Sequence, residues 1–326
     1  MPTTATHQIT YRKYRKPKTE NRKLLVPLIM LGLLAAWGCG PLPTQKSPII
    51  VFGSPDSPRL RQAVAGFKAK LGAGPVEVVL VPEFGPEARE TLRRVRETNP
   101  RLLVVMGTPA LLVVAPVVKQ IPVVFGLVAN PYFTRAVFDP AHPEIHQENV
   151  TGIASPAPLG AALQHGISLL GQGPWGFLYD PTDGVAVDMA RRFETEAQRL
   201  GVHPLTETSA AAATDRDALE RLMHRGARVI YLPPAPSAAR YAPLVLAWGR
   251  EMKVRVVSGL PEGSRQGAVL WVALDYRRLG EDLGDLALRV LAGERPQTIP
   301  IVEKTPLNVE VDETLARKWN GYPPVK

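Results

Sequence analysis

From Pro48 onward, short apolar runs alternate with longer stretches whose apolar residues recur at helical spacing. Ile49 to Phe52 (IIVF) predicts a strand and Arg59 to Leu71 a helix. Val76 to Val81 predicts the next strand, and Pro86 to Glu97 a helix charged heavily on one face. A strand over Leu102 to Met106, a helix over Pro109 to Val118 and a strand over Pro122 to Phe125 follow, with Val150 to Ile153 as a further strand. Continuous apolar runs between helices indicate strands covered on both faces, hence parallel sheets with helices on each side.

The pattern then restarts. Leu159 to Leu170 predicts a helix, Trp175 to Tyr179 a strand, and Val185 to Leu200 a long helix with Gly201 as its stop signal. A strand near Val202 to Leu205 and a helix over Asp215 to His224 continue the series, then a strand over Val229 to Leu232. A helix over Tyr241 to Met252 and strands over Val254 to Val257 and Ala268 to Val272 precede a last helix, Asp275 to Leu291, stopped by Gly293. Two successive α/β units without a long linker predict two Rossmann-like lobes with parallel sheets and a cleft between them. The expected boundaries are 48–154 for the first lobe and 155–275 for the second. A return to the first is expected near 276–300, with 300–326 assigned to neither. Ligands of such sheets bind beyond the carboxyl ends of the strands. The turns to inspect are therefore Gly53-Ser54, Gly107-Thr108-Pro109, Asn130-Pro131 and Asp180-Pro181.

Before Pro48 the chain reads as an address. Seven Lys and Arg residues between Arg12 and Lys23 precede an uncharged apolar run, Leu24 to Trp37. That run is short for a membrane span, which needs roughly 20 apolar residues, and suits a secretory signal. It ends Ala35-Ala36-Trp37-Gly38-Cys39, at the only cysteine of the chain. The ending resembles the lipobox of bacterial lipoproteins, in which the cysteine is diacylated and becomes the new N-terminus. Here Ala36 stands where Leu is commoner. The resemblance implies a signal peptide over 1–38, a lipidated Cys39 with a tether over 39–47, and an extracytoplasmic body held to the cell membrane or outer membrane. An uncleaved anchor helix and a buried cysteine are the alternatives.

Charge changes the picture once it is located. The formal charge is +9, but the first 38 residues hold seven basic residues against Glu20, so +3 remains for the rest. That balance removes the usual argument for a nucleic-acid partner. A single cysteine excludes a disulfide framework and a zinc–thiolate site. His142 and His146 are four apart, but Pro140 and Pro143 argue against the helix that would make them a metal pair. No phosphate loop, Gly-x-Gly-x-x-Gly or Gly-x-Ser-x-Gly occurs. No nucleophile–base pair can be named, so an enzyme is not expected. Gly107-Thr108-Pro109 suits an anion at a helix start with the Thr108 hydroxyl as N-cap, or an ordinary strand-to-helix turn.

A family resemblance rests on residues in series. Gly107-Thr108-Pro109-Ala110, Ile121 to Phe125, Val128-Ala129-Asn130-Pro131 and Asn149 to Ile153 come first. Gly267-Ala268, Asp275-Tyr276, Leu279-Gly280 and Leu291 to Pro296 follow. Together they resemble ABC-transporter substrate-binding proteins related to the tryptophan and aromatic amino-acid binding lipoproteins. The resemblance covers roughly residues 48 to 324. It implies a type I periplasmic-binding-protein fold, a small-molecule ligand delivered to an ABC permease, and no cofactor. The ligand contacts it points to are Thr108 and Thr151, then Ser54, Asn130 and Asp180. Trp271 would stack on a ring, although packing inside a lobe is the commoner use of such a residue. The family pattern carries Asp where Asn130 stands. It carries Glu-x-Asn-Ser where Asp183 to Ala186 stand, and a polar residue near Ala235. With those positions neutralised, a buried ammonium lacks its counter-charge, and a neutral or anionic ligand is expected. The alternative is an extracytoplasmic sensor or structural lipoprotein of the same fold that signals to a partner.

Overall fold

The computed structural model describes residues 47–53, 57–72, 74–81, 85–139, 142, 144–260 and 266–320. Cys39, Ser54, the expected signal and the expected tether up to residue 46 lie outside them.

The first sheet has six parallel strands in the order β11-β5-β4-β3-β1-β2. They are β1 (Ile49–Gly53), β2 (Val76–Leu80), β3 (Leu102–Met106), β4 (Val123–Val128), β5 (Val150–Ala154) and β11 (Val302–Glu303). In β1, Ile50 and Phe52 face one apolar layer while Ile49 and Val51 face the other, so both faces are dry. One layer is closed by α2 (Pro86–Glu97) and α3 (Thr108–Val114), the other by α1 (Pro58–Leu71) and α8 (Tyr276–Leu291). Two continuous apolar layers on one strand leave no solvent face, and this is why the strands lack alternation.

The second sheet has the order β12-β10-β9-β8-β6-β7. Its strands are β6 (Trp175–Tyr179), β7 (Pro204–Thr208), β8 (Val229–Leu232), β9 (Arg255–Ser258), β10 (Leu270–Leu274) and β12 (Leu307–Val311). Five run parallel, and β12 pairs antiparallel to β10 with Leu270 opposite Val311. The sheet is therefore mostly parallel, with one antiparallel edge strand. Four helices flank the sheet: α4 (Leu159–Leu170), α5 (Gly184–Arg199), α6 (Ala212–His224) and α7 (Ala238–Arg250), and α9 (Glu313–Asn320) adds Leu315 and Ala316 to the core.

The chain passes between the sheets three times, at 155–158, at Asp275 and at 304–306. Asp275 caps α8 by accepting the Arg278 N–H at 2.9 Å, so the second crossing ends in a fixed helix start. Beyond it, α8 lies against α1 with backbone nearly touching backbone. A Cβ on Gly66 would come within 2.0 Å of the Arg277 carbonyl oxygen, and one on Gly280 within 2.0 Å of the Ala63 oxygen. Only glycine permits that approach. The helix that begins at the end of a second-lobe strand is thereby locked onto the first lobe.

Candidate functional site

In each sheet the order of connection reverses beside the first strand of the lobe, between β1 and β3 and between β6 and β8. Such switch points open a crevice beyond the carboxyl ends of the strands. A pocket of about 620 Å³ runs along one face of α7, past the segments after β8 and β9, and takes Arg59 from the first lobe. Arg59, in the first turn of α1, comes from the first lobe; Pro234, Ala239, Pro243, Leu246 and Leu260 are among the second-lobe residues. Arg250 and Gln266 close its far end, where the Arg250 guanidinium donates to the Gln266 carbonyl at 2.9 Å. The Arg59 guanidinium sits 5.7 Å from the ring centre of Tyr276, the first residue of α8.

The rim of the second lobe carries a polar network. Asp180 follows β6, and one of its oxygens accepts from the Thr182 N–H at 2.8 Å and the Thr182 hydroxyl at 2.7 Å. Its other oxygen pairs with Arg240 at 3.3 Å. Arg240 also pairs with Asp215 at 3.3 Å and donates to the Ser209 carbonyl at 2.6 Å. Asp215 in turn accepts from the Ser209 hydroxyl at 2.7 Å. Asp183 caps α5 through one oxygen, accepting from Val185 and Ala186, and accepts the Ser237 N–H through the other at 3.0 Å. The Thr182 hydroxyl, the Thr182 N–H and Arg240 hold the Asp180 carboxyl below its ordinary range. Burial pushes the Asp183 carboxyl up, but the N–H groups of Ser237, Ala186 and Val185 outweigh it and the net direction is down. Asp180, Asp183 and Asp215 are each already engaged by partners of their own.

The expected contacts divide by position. Thr108 opens α3 at the carboxyl end of β3 and is partly exposed. It is not the N-cap: that position is Gly107, and no side chain caps the helix. Asn130 follows β4, and its side chain accepts the Tyr132 N–H at 3.0 Å, capping the short 3-10 turn Pro131–Thr134. Asp180 is on the rim but only 8% exposed. Thr151 is a correction. It is fully buried near the amino end of β5, away from the crevice, and its hydroxyl donates to the Ile299 carbonyl at 3.0 Å. Trp271 takes the packing place that was the commoner expectation for it. It is 4% exposed, and its indole N–H donates to the carbonyl of Leu260 at 2.6 Å. It therefore supports a pocket residue from beneath instead of stacking on a ligand. His146 places both ring nitrogens against carbonyls, of Gln147 and Ile299, while His142 faces Glu144. Among the described residues no group of three His, Cys, Asp or Glu side chains could hold a metal.

Sequence reading missed Arg59, Arg240 and Arg250. The available signal for Arg59 was its place: the first turn of the helix that follows the first strand sits at the crevice by topology. Nothing in the sequence joins Arg240 to Asp180 and Asp215, which lie on other elements.

Comparison with known proteins agrees with this fold. The family model described as ABC transporter substrate binding protein matches residues 86–320. No curated protein matches. Among solved structures, an open, ligand-free substrate-binding protein with adhesive properties from Clostridium difficile is 17% identical. That match has a TM-score of 0.74 and covers 84% of this chain and 95% of the other. An ABC domain from Streptococcus pneumoniae in complex with L-Trp is 19% identical, with a TM-score of 0.62 and coverage of 83% and 94%. A glucose–galactose binding protein from Geobacillus stearothermophilus is 15% identical, with a TM-score of 0.58 and coverage of 82% and 99%.

Proposed function

Because the chain belongs to the family of ABC transporter substrate-binding proteins, we propose that it is the lipid-anchored solute receptor of an uptake system. A small molecule enters the crevice, the lobes close over it, and the closed form presents it to the permease. The observation that carries this reading is the pocket assembled from Arg59 of one lobe and the β8 and β9 ends of the other. A ligand held there contacts both lobes, so their approach tightens its contacts. The role is binding and delivery, with no chemical step.

The ligand we propose is neutral or anionic, not a free amino acid. Asp180 and Asp183 are the residues that would pair with an ammonium, and each is committed to partners of its own. Recruiting either would break a cap or an ion pair. Structural relatives bind both tryptophan and hexoses, so the fold alone does not select the ligand. Thr108 and Asn130 start the turns after β3 and β4 and do not line that pocket in this structure; we propose them as the polar contacts that the first lobe adds on closure.

The anchor is Cys39, on the strength of the basic, apolar and small residues before it. Cys39→Ser is expected to abolish acyl labelling and release the protein from membranes. Unchanged labelling and fractionation in that variant would remove the anchor from this account.

A further inference from the structure

We infer that the pocket selects a carboxylate carried on an apolar body, with Arg59 as the residue that reads the charge. The inference rests on the solute-receptor reading and narrows its ligand.

Three observations meet in the pocket. Its wall on the second lobe is apolar, built from Pro234, Ala239, Pro243, Leu246 and Leu260. Its charged lining among the described residues is of one sign, Arg59 and Arg250. The acids of the neighbouring rim are spent on Arg240, Thr182, Ser209 and the α5 cap. Arg59 itself is half-buried and rests on the Tyr276 face at the second crossing. A guanidinium stacked on a ring keeps its N–H edge available for a carboxylate. No carboxylate among the described residues forms an ion pair with it.

Closure turns this arrangement into selectivity. Bringing the lobes together removes water from Arg59, and an unpaired cation taken out of water is costly. A neutral ligand leaves that cost standing, and an ammonium adds to it. A carboxylate satisfies the guanidinium through two parallel N–H···O bonds, while its apolar body fills the wall beneath Pro234 and Leu260. A zwitterionic amino acid brings the carboxylate together with an unmatched ammonium. The deaminated acid should therefore bind more tightly than its parent amino acid.

The test is calorimetric titration of the purified chain with four matched probes: 3-phenylpropionate, phenylalanine, 3-phenylpropanamide and phenethylamine. The expected order places 3-phenylpropionate first, about tenfold or more above the other three. Arg59→Gln should bring it down to the level of the amide, and Arg59→Lys should recover part of the loss. Circular dichroism of the unliganded variants checks that they remain folded. Phenylalanine binding at least as tightly as the acid, or acid binding unchanged in Arg59→Gln, would overturn the inference. Mass spectrometry of small molecules released by heating the purified chain separates the two levels. A released apolar acid supports both; a released amino acid or sugar overturns the inference and leaves the receptor reading standing. No released molecule and no binding by any probe would remove both.

Discussion

Asp183 holds two elements together with two oxygens. One caps α5 and the other accepts the Ser237 N–H ahead of α7. Asp183→Ala is expected to cost about 0.5–2 kcal/mol, the range for a lost N-cap, measured by urea denaturation. The pH dependence follows from the lowered carboxyl. A carboxyl held below its unfolded value contributes fully above the ordinary carboxylate range, near pH 4. That contribution is lost as pH falls through the folded value. Asp183→Asn should therefore flatten the acid side of the stability profile and leave the slope between pH 6 and 8 unchanged. At this scale the sequence was only partly legible. Asp180, Asn130 and Thr108 were singled out because they stand next to strand ends, a local signal. Thr151 was misread because its partner, the Ile299 carbonyl, lies 148 positions away. A hydroxyl that serves a distant carbonyl looks the same in sequence as one that serves a ligand.

Between α1 and α8 the contact depends on side chains that are absent. Gly66→Ala and Gly280→Ala each push a methyl into a carbonyl at 2.0 Å. Backbone on both sides leaves no flexible atom to yield, so each should destabilise the fold by about 1–3 kcal/mol. Gly184→Ala, at the start of α5 with nothing within 4 Å of the new Cβ, is the matched control and should be neutral or mildly stabilising. Chemical denaturation of the three variants checks the contrast; equal effects would mean that the helices are not in close contact. Most elements were legible because the strands are buried on both faces and the helices carry clear periodicity. Pro86–Glu97, Leu159–Leu170 and Trp175–Tyr179 lie where the pattern puts them. The helix expected to reach Val118 stops at Val114: Ala115 still has helical backbone, but Pro116 has no N–H to carry the hydrogen-bond ladder on. Strand β12 escaped notice for the opposite reason to the others. Leu307-Asn308-Val309-Glu310-Val311 alternates and is at most half-buried along its whole length, so it has no continuous apolar run to mark it.

Three crossings joining two sheets of the same strand order make the molecule a hinge with a pocket at its mouth. The repeat itself was legible, since the alternation of apolar runs and helices restarts after Ile153. The end of the chain was not. It gives two residues to the first sheet as β11 and five to the second as β12, and pairing that short is set by neighbours distant in sequence. The account's central claim is that the lobes close on a small molecule. Small-angle X-ray scattering of the purified chain, with and without saturating 3-phenylpropionate, tests it most directly. The account predicts a smaller radius of gyration with the acid present, and no contraction in Arg59→Gln. An unchanged scattering curve with the acid, and equally with phenylalanine and glucose, would contradict it.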